Sequence, residues 1–120
     1  MEEEKMKKFK ISECPVQRAL EMVGGKWAFT IIYSLIEGKK RFKELERSIE
    51  NINTRMLVKE LKTLEAYGMI ERKAFATVPM TVEYSLTQKG LDFHPVLDNI
   101  KGWAAKYVDS YACETVAITE

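Results

Sequence analysis

One stretch constrains the fold more than any other. From Ile52 to Gly68 the chain reads I-N-T-R-M-L-V-K-E-L-K-T-L-E-A-Y-G. Leu57, Leu61 and Leu64 recur at i, i+4 and i+7, the spacing that stacks side chains on one face of a helix. At about 100° per residue, Arg55, Lys59 and Lys62 fall on the opposite face. Asn53 is a good N-cap, because its side-chain oxygen can accept from the free N–H groups of the first turn. Gly68 is a good stop, because the residue after a helix often takes a left-handed conformation that glycine adopts freely. The stretch is therefore a helix over about 53–67 with a leucine seam and a basic back. Such a helix is commonly a solvated surface element, so its meaning depends on its neighbours.

The chain has 120 residues, which fits one domain whose core needs neither metal nor disulfide. Its formal net charge is +1, so global charge says nothing of a nucleic-acid partner. Any basic patch must come from local clusters, of which there are two: Lys5, Lys7, Lys8 and Lys10, and Lys39, Lys40, Arg41 and Lys43. The start of the chain is charged rather than apolar, and no apolar run approaches the ~20 residues that cross a bilayer. The expectation is a cytoplasmic protein without a membrane partner. Cys14 and Cys113 are expected to be thiols in a reducing compartment.

Residues 1–13 read as a charged arm, 14–112 as the domain and 113–120 as a tail. Cys14-Pro15 opens a helix, since proline's missing N–H costs nothing in the first turn. Val16, Leu20 and Val23 give it an apolar stripe, and Gly24-Gly25 ends it. The segment from Trp27 to Ile36 is apolar almost all round, which as a helix places it at the centre of the domain. Periodicity alone leaves a strand open, given Ile31-Ile32, while its length and flanking glycines favour helix. Lys39-Lys40-Arg41 reads as a short basic connector. Phe42, Leu45 and Ile49 then mark a short helix, and Glu50-Asn51-Ile52-Asn53 a tight turn. Two helices joined by such a turn form a helix-turn-helix. After Gly68, period-two alternation on both sides of Thr77-Val78-Pro79-Met80 reads as a hairpin over about 69–87. Proline at its tip removes a donor where no ladder bond is needed. The order is that of a winged helix: mainly α with a small β-hairpin wing.

Thr87 is placed to cap a last helical region, about 88–112, whose first part Gly90 and Pro95 make irregular. From Pro95 onward Val96, Ile100, Trp103, Tyr107 and Tyr111 follow a helical stripe. Packing back on its own domain is one reading. Burial against a second subunit is the sharper one, because exposed aromatic patches usually mark contact sites.

The ordered series C-P-V-Q-R-A-L-E-M-V-G-G-K-W, R-F-K-E-L, N-T-R-M-L-V-K-E-L-K-T-L-E-A-Y-G-M-I-E-R and V-P-M-T-V-E-Y-S-L-T-Q-K-G closely resembles the HxlR-type winged-helix transcription regulators of bacteria and archaea. The likeness spans about Cys14 to Trp103. It implies a homodimer whose interface is formed by the first and last helices, through Val16, Leu20, Val96, Ile100, Trp103, Tyr107 and Tyr111. It implies double-stranded operator DNA as partner, with Asn53, Thr54 and Arg55 at the major groove and Lys59 one turn on. Lys59, Lys62, Arg41 and Lys43 are placed to hold phosphates, and Lys73 and the loop from Thr77 to Thr81 to reach flanking backbone. The family often has serine where this chain has Asn53. Both cap, but asparagine also matches an adenine edge.

Cys14 sits at a helix entry, where the dipole and free N–H groups stabilise negative charge. Some relatives of this type use a cysteine at this position to sense quinones, aldehydes or oxidants. Cys14, with Cys113 from the last helix, is therefore a redox-sensing candidate beside the plainer reading of two ordinary thiols. His94, next to Pro95, reads as a surface or structural residue, and no metal-ligand spacing supports a site. No phosphate loop, nucleophile elbow or paired-carboxylate motif is present, so neither an enzyme nor a cofactor is expected. The rival from another class is a winged-helix module that contacts protein and binds no DNA.

Overall fold

The structure, a computed structural model, describes residues 10 and 13–108. Its elements in chain order are α1 (Pro15–Val23), α2 (Ala28–Ile36), β1 (Lys40–Arg41), α3 (Phe42–Ser48), α4 (Thr54–Ala66), β2 (Ile70–Phe75), β3 (Thr81–Leu86), α5 (Gln88–Leu91) and α6 (His94–Tyr107). The chain is a winged helix: a helical body carrying a small antiparallel sheet of order β1-β3-β2.

Leucine spacing in α4 translates directly into the core. Leu57, Leu61 and Leu64 are buried completely or nearly so, beside Ile31, Ile32 and Leu35 of α2 and Leu45 of α3. Removing such side chains from water supplies most of the drive to fold, about 1.5–3 kcal/mol each. Helix α2 lies at the centre, as its composition requires, although Thr30 and Tyr33 on one side reach solvent. Lys101 of α6 crosses that exposed side, donating from Nζ to the Tyr33 hydroxyl at 3.2 Å.

Caps explain where the helices stop. Asn53 Oδ1 accepts from the Met56 N–H at 2.8 Å at the start of α4. At the other end Gly68 has φ +78°. The Gly68 N–H bonds the Glu65 carbonyl and the Met69 N–H the Leu64 carbonyl, the paired closure that a left-handed glycine permits. Asn51, with φ 71°, turns the chain between α3 and α4, a conformation asparagine tolerates better than most residues. The hairpin joins the terminal helices at Thr87, whose hydroxyl donates to the Gly68 carbonyl at 2.5 Å and accepts from the Gly90 N–H at 3.1 Å. A Cβ on Gly90 would stand 2.2 Å from the Met69 carbonyl oxygen, so no other residue fits that crossing.

One expectation changes. Lys40-Arg41 is a strand rather than a free connector, pairing Lys40 with Tyr84 and Arg41 with Glu83. Two residues are too few to show period-two alternation, so the pairing has no signature in the sequence. In β2 only Ile70 is buried, whereas every residue of β3, the middle strand, is half-buried. The last helical region is broken as Gly90 and Pro95 require, into α5 and α6.

Candidate nucleic-acid interface

Arg55, Lys59 and Lys62 lie on the outer face of α4, all exposed, and among the described residues none has an ion-pair partner. The seam behind them is fixed by burial, so the three cations are presented by a helix that cannot roll. At the N-terminal end of α4 the side chains are more committed. Asn53 gives one lone pair of its oxygen to the cap, which leaves its amide N–H₂ as the freer group. Thr54 donates its hydroxyl to a carboxylate oxygen of Glu46 on α3. That bond ties the two helices of the motif together. It also sets a negative charge close to the helix start.

Arg41 and Lys43 stand at the entry of α3, where Glu44 accepts from the Arg41 backbone N–H at 2.8 Å. Lys73 is exposed on β2, opposite Glu83 in register. Glu83 is held 3.4 Å from Lys39 Nζ. Thr77 and Thr81 bond each other at 2.9 Å across the base of the wing tip, and Thr77 donates to the Pro79 carbonyl at 2.7 Å. A single hydroxyl proton makes Thr81 the donor in the first of these bonds. Both hydroxyls are thus engaged within the loop.

A further group escaped the sequence reading. Arg72 and Tyr84 face each other across β2 and β3, and with Lys62, Glu65 and Val58 they line a cleft of about 340 Å³ between α4 and the hairpin. Arg72 Nε stands 4.0 Å from Glu65. Burial raises the Tyr84 phenol above its usual value, Arg72 opposing and Glu65 adding to the effect. The one sign in the sequence was Val58, an apolar residue off the leucine seam.

The residues expected at a subunit interface fall on two helices. Val16 and Leu20 of α1 are exposed, whereas Val23 of the same stripe is in the core. Val96, Ile100, Trp103 and Tyr107 of α6 are all exposed, and only Leu97 of that helix is buried. Trp103 and Tyr107 stack on each other at 5.5 Å rather than on the body. Tyr111 and Cys113 lie outside the described residues. Cys14 caps α1, with Sγ 3.5 Å from the Gln17 N–H, and is a half-buried free thiol. His94 is a surface residue 3.5 Å from Asp98.

The model of the HxlR-like helix-turn-helix family matches residues 22–112, the span that holds the helix pair, the hairpin and α6. The chain belongs to the HxlR-like helix-turn-helix family. It is 45% identical over 96 residues to the HTH-type transcriptional regulator YdeP of Bacillus subtilis, covering 80% of this chain and 75% of that one. The fold is similar to the crystal structure of the HTH-type transcriptional regulator ytcD, with TM-score 0.77 and 40% identity over 79% of this chain and 97% of that chain. It is likewise similar to the redox regulator HypR in its oxidised form, with TM-score 0.74 and 42% identity over 80% of this chain and 99% of that chain. The HxlR-like chain described here is accordingly a transcriptional regulator of the helix-turn-helix type and not an enzyme. No single helix among its described residues is long and apolar enough to cross a membrane.

Proposed function

We propose that the protein is a sequence-specific DNA-binding regulator acting as a homodimer in the cytoplasm. The observation that carries this reading is the row of exposed cations, Arg55, Lys59 and Lys62, without ion-pair partners among the described residues, on a helix whose other face is locked in the core. A helix of this kind enters the major groove with its N-terminal residues at the base edges. Arg55 reads a guanine by two parallel hydrogen bonds, and the Asn53 amide donates to a neighbouring base acceptor. Thr54 braces α4 through Glu46 before it contacts anything else. Lys59, Lys62, Arg41, Lys43 and Lys73 hold phosphates, which set register without reading sequence. The cleft holding Arg72 and Tyr84 is a natural seat for the backbone between helix and wing.

The exposed apolar stripes of α1 and α6 support the homodimer. Val16, Leu20, Val96, Ile100, Trp103 and Tyr107 on one small domain exceed what a monomer usually leaves in water. A two-fold axis through that face sets two α4 helices into successive major grooves about 34 Å apart. The test is a mobility-shift titration with the DNA upstream of the protein's own gene at two salt concentrations. Binding that weakens steeply with salt is expected. Absence of binding even at low salt would favour the protein-contact module instead.

The oxidised and reduced forms of HypR among similar structures favour a second layer, sensing through Cys14. Its sulfur already accepts from the Gln17 N–H in the first turn of α1, an element of the proposed interface. Oxidation there would alter the spacing of the two α4 helices. DNA binding titrated against diamide, with Cys14→Ser as control, decides this: unaltered wild-type binding removes the sensing role.

A further inference from the structure

The wing tip is built unlike a phosphate clamp. Residues 76–80 read Ala-Thr-Val-Pro-Met and carry no charge of either sign. Both hydroxyls that border the tip are engaged in its own hydrogen bonds. The Thr77 N–H is also taken, by the Phe75 carbonyl at 2.8 Å. What the tip offers outward is apolar: Val78 is fully exposed at 101% and Met80 at 67%. These side chains belong neither to the core nor to the α1 and α6 stripes. The internal bonds of Thr77 preset the loop, so presenting them costs little further ordering.

Behind the tip lies charge. Pro79 and Met80 form one wall of a groove of about 450 Å³ whose other wall is the start of α3, with Arg41, Lys43 and Arg47. Glu44 is the one acid on that wall, and its carboxylate accepts from the Arg41 N–H. An apolar point with cations set behind it suits the minor groove. The floor and sugar walls of that groove tolerate apolar groups, while phosphates line its rim.

Resting on the DNA-binding reading above, we propose that Val78 and Met80 enter the minor groove as an uncharged wedge while Arg41, Lys43 and Arg47 hold the phosphates of its rim. Side chains of this type partly unstack a base step and bend the duplex. The wing then contributes specificity through deformability rather than base contacts, favouring flexible pyrimidine–purine steps beside the bases that α4 reads.

The test compares wild type, the double variant Val78→Ala with Met80→Ala, and Lys43→Ala. Each is assayed on duplexes that the wild-type protein selects from a random library. Both tip side chains are exposed, so the double variant is expected to melt like wild type. It should bind the selected duplex roughly ten- to a hundredfold more weakly, the effect of about one or two well-buried apolar contacts. End-to-end energy transfer across the duplex should report less bending. A fresh selection with the variant should lose the flanking-step preference and keep the central one. The dependence of log affinity on log salt should be unchanged, whereas Lys43→Ala should flatten it by about one phosphate's worth. Wild-type affinity, bend and flank preference in the double variant would overturn the wedge. Full DNA binding with lost regulation in cells would assign the tip to a protein partner and overturn it equally. If wild type binds DNA and Arg55→Ala weakens it while the double variant is silent, only the wedge falls. If wild type binds no DNA at low salt, the DNA-binding reading falls first.

Discussion

Helices α4 and α6 are nearly equal in length, 13 and 14 residues, and each carries an apolar stripe at helical spacing. They use it oppositely. The α4 stripe is closed within the chain: Leu57, Leu61 and Leu64 are at most 2% exposed. The α6 stripe is open, with Trp103 at 61% and Tyr107 at 69%, and Leu97 alone is buried. The same periodicity thus specifies a core in one place and an unpartnered face in the other. The faces opposite differ to match. That of α4 is cationic and available to a polyanion; α6 has the body on one side, and among the described residues its aromatic side stays exposed.

Truncations on the two helices must therefore fail in different assays. The largest effect is expected from Leu57→Ala, which opens a cavity in a closed core and should lower folding stability by about 2–5 kcal/mol. Denaturant melts would show it at every protein concentration. Trp103→Ala should instead cost about 2–4 kcal/mol of association, the range of a central aromatic anchor. Sedimentation equilibrium would then find more monomer, with the far-ultraviolet spectrum retained. Equal loss of fold in both variants would erase the distinction between the helices.

Smaller changes sharpen what the outer face of α4 does. Arg55→Ala should weaken DNA binding by about 1–3 kcal/mol and relax sequence preference at one position, with the melt unchanged. A selection experiment that returned the wild-type sequence would show α4 docked in another way. Asn53→Ala should remove the cap and cost about 1 kcal/mol of stability. If it also alters base preference beyond that, the amide reads DNA as well as capping.

The least effect concerns Tyr84, beside α4. Burial raises its phenol above 10.0, so the folded state holds the proton more tightly than the unfolded chain. Its contribution to stability is therefore full below pH 10 and is lost as pH rises from there through the folded value. Tyr84→Phe should flatten that alkaline decline in a pH series of melts. An unchanged slope would mean that the cleft is wetter than the structure shows.

Much of the site was legible because it is local. The cap at Asn53, the stop at Gly68, the seam and the basic row depend on spacing within one helix. The break between Gly90 and Pro95 and the cap at Thr87 are equally short-range. The bond from Thr54 to Glu46 has no signature in the sequence, because its partner lies eight residues away on another helix. Thr77 and Thr81 look like outward polar groups in sequence and are turned to each other by the loop. Arg72 and Tyr84 meet only through strand register.

By itself the sequence determined the winged-helix order and which face of α4 is buried, since both follow from periodicity and caps. Only the tertiary structure decided that Lys40-Arg41 joins the sheet and that the stripes of α1 and α6 are left open. It also decided that Val78 and Met80 stand at the tip with cations behind them. Each of these depends on which distant surfaces meet, and burial is a property of that meeting rather than of the spacing that prepares it.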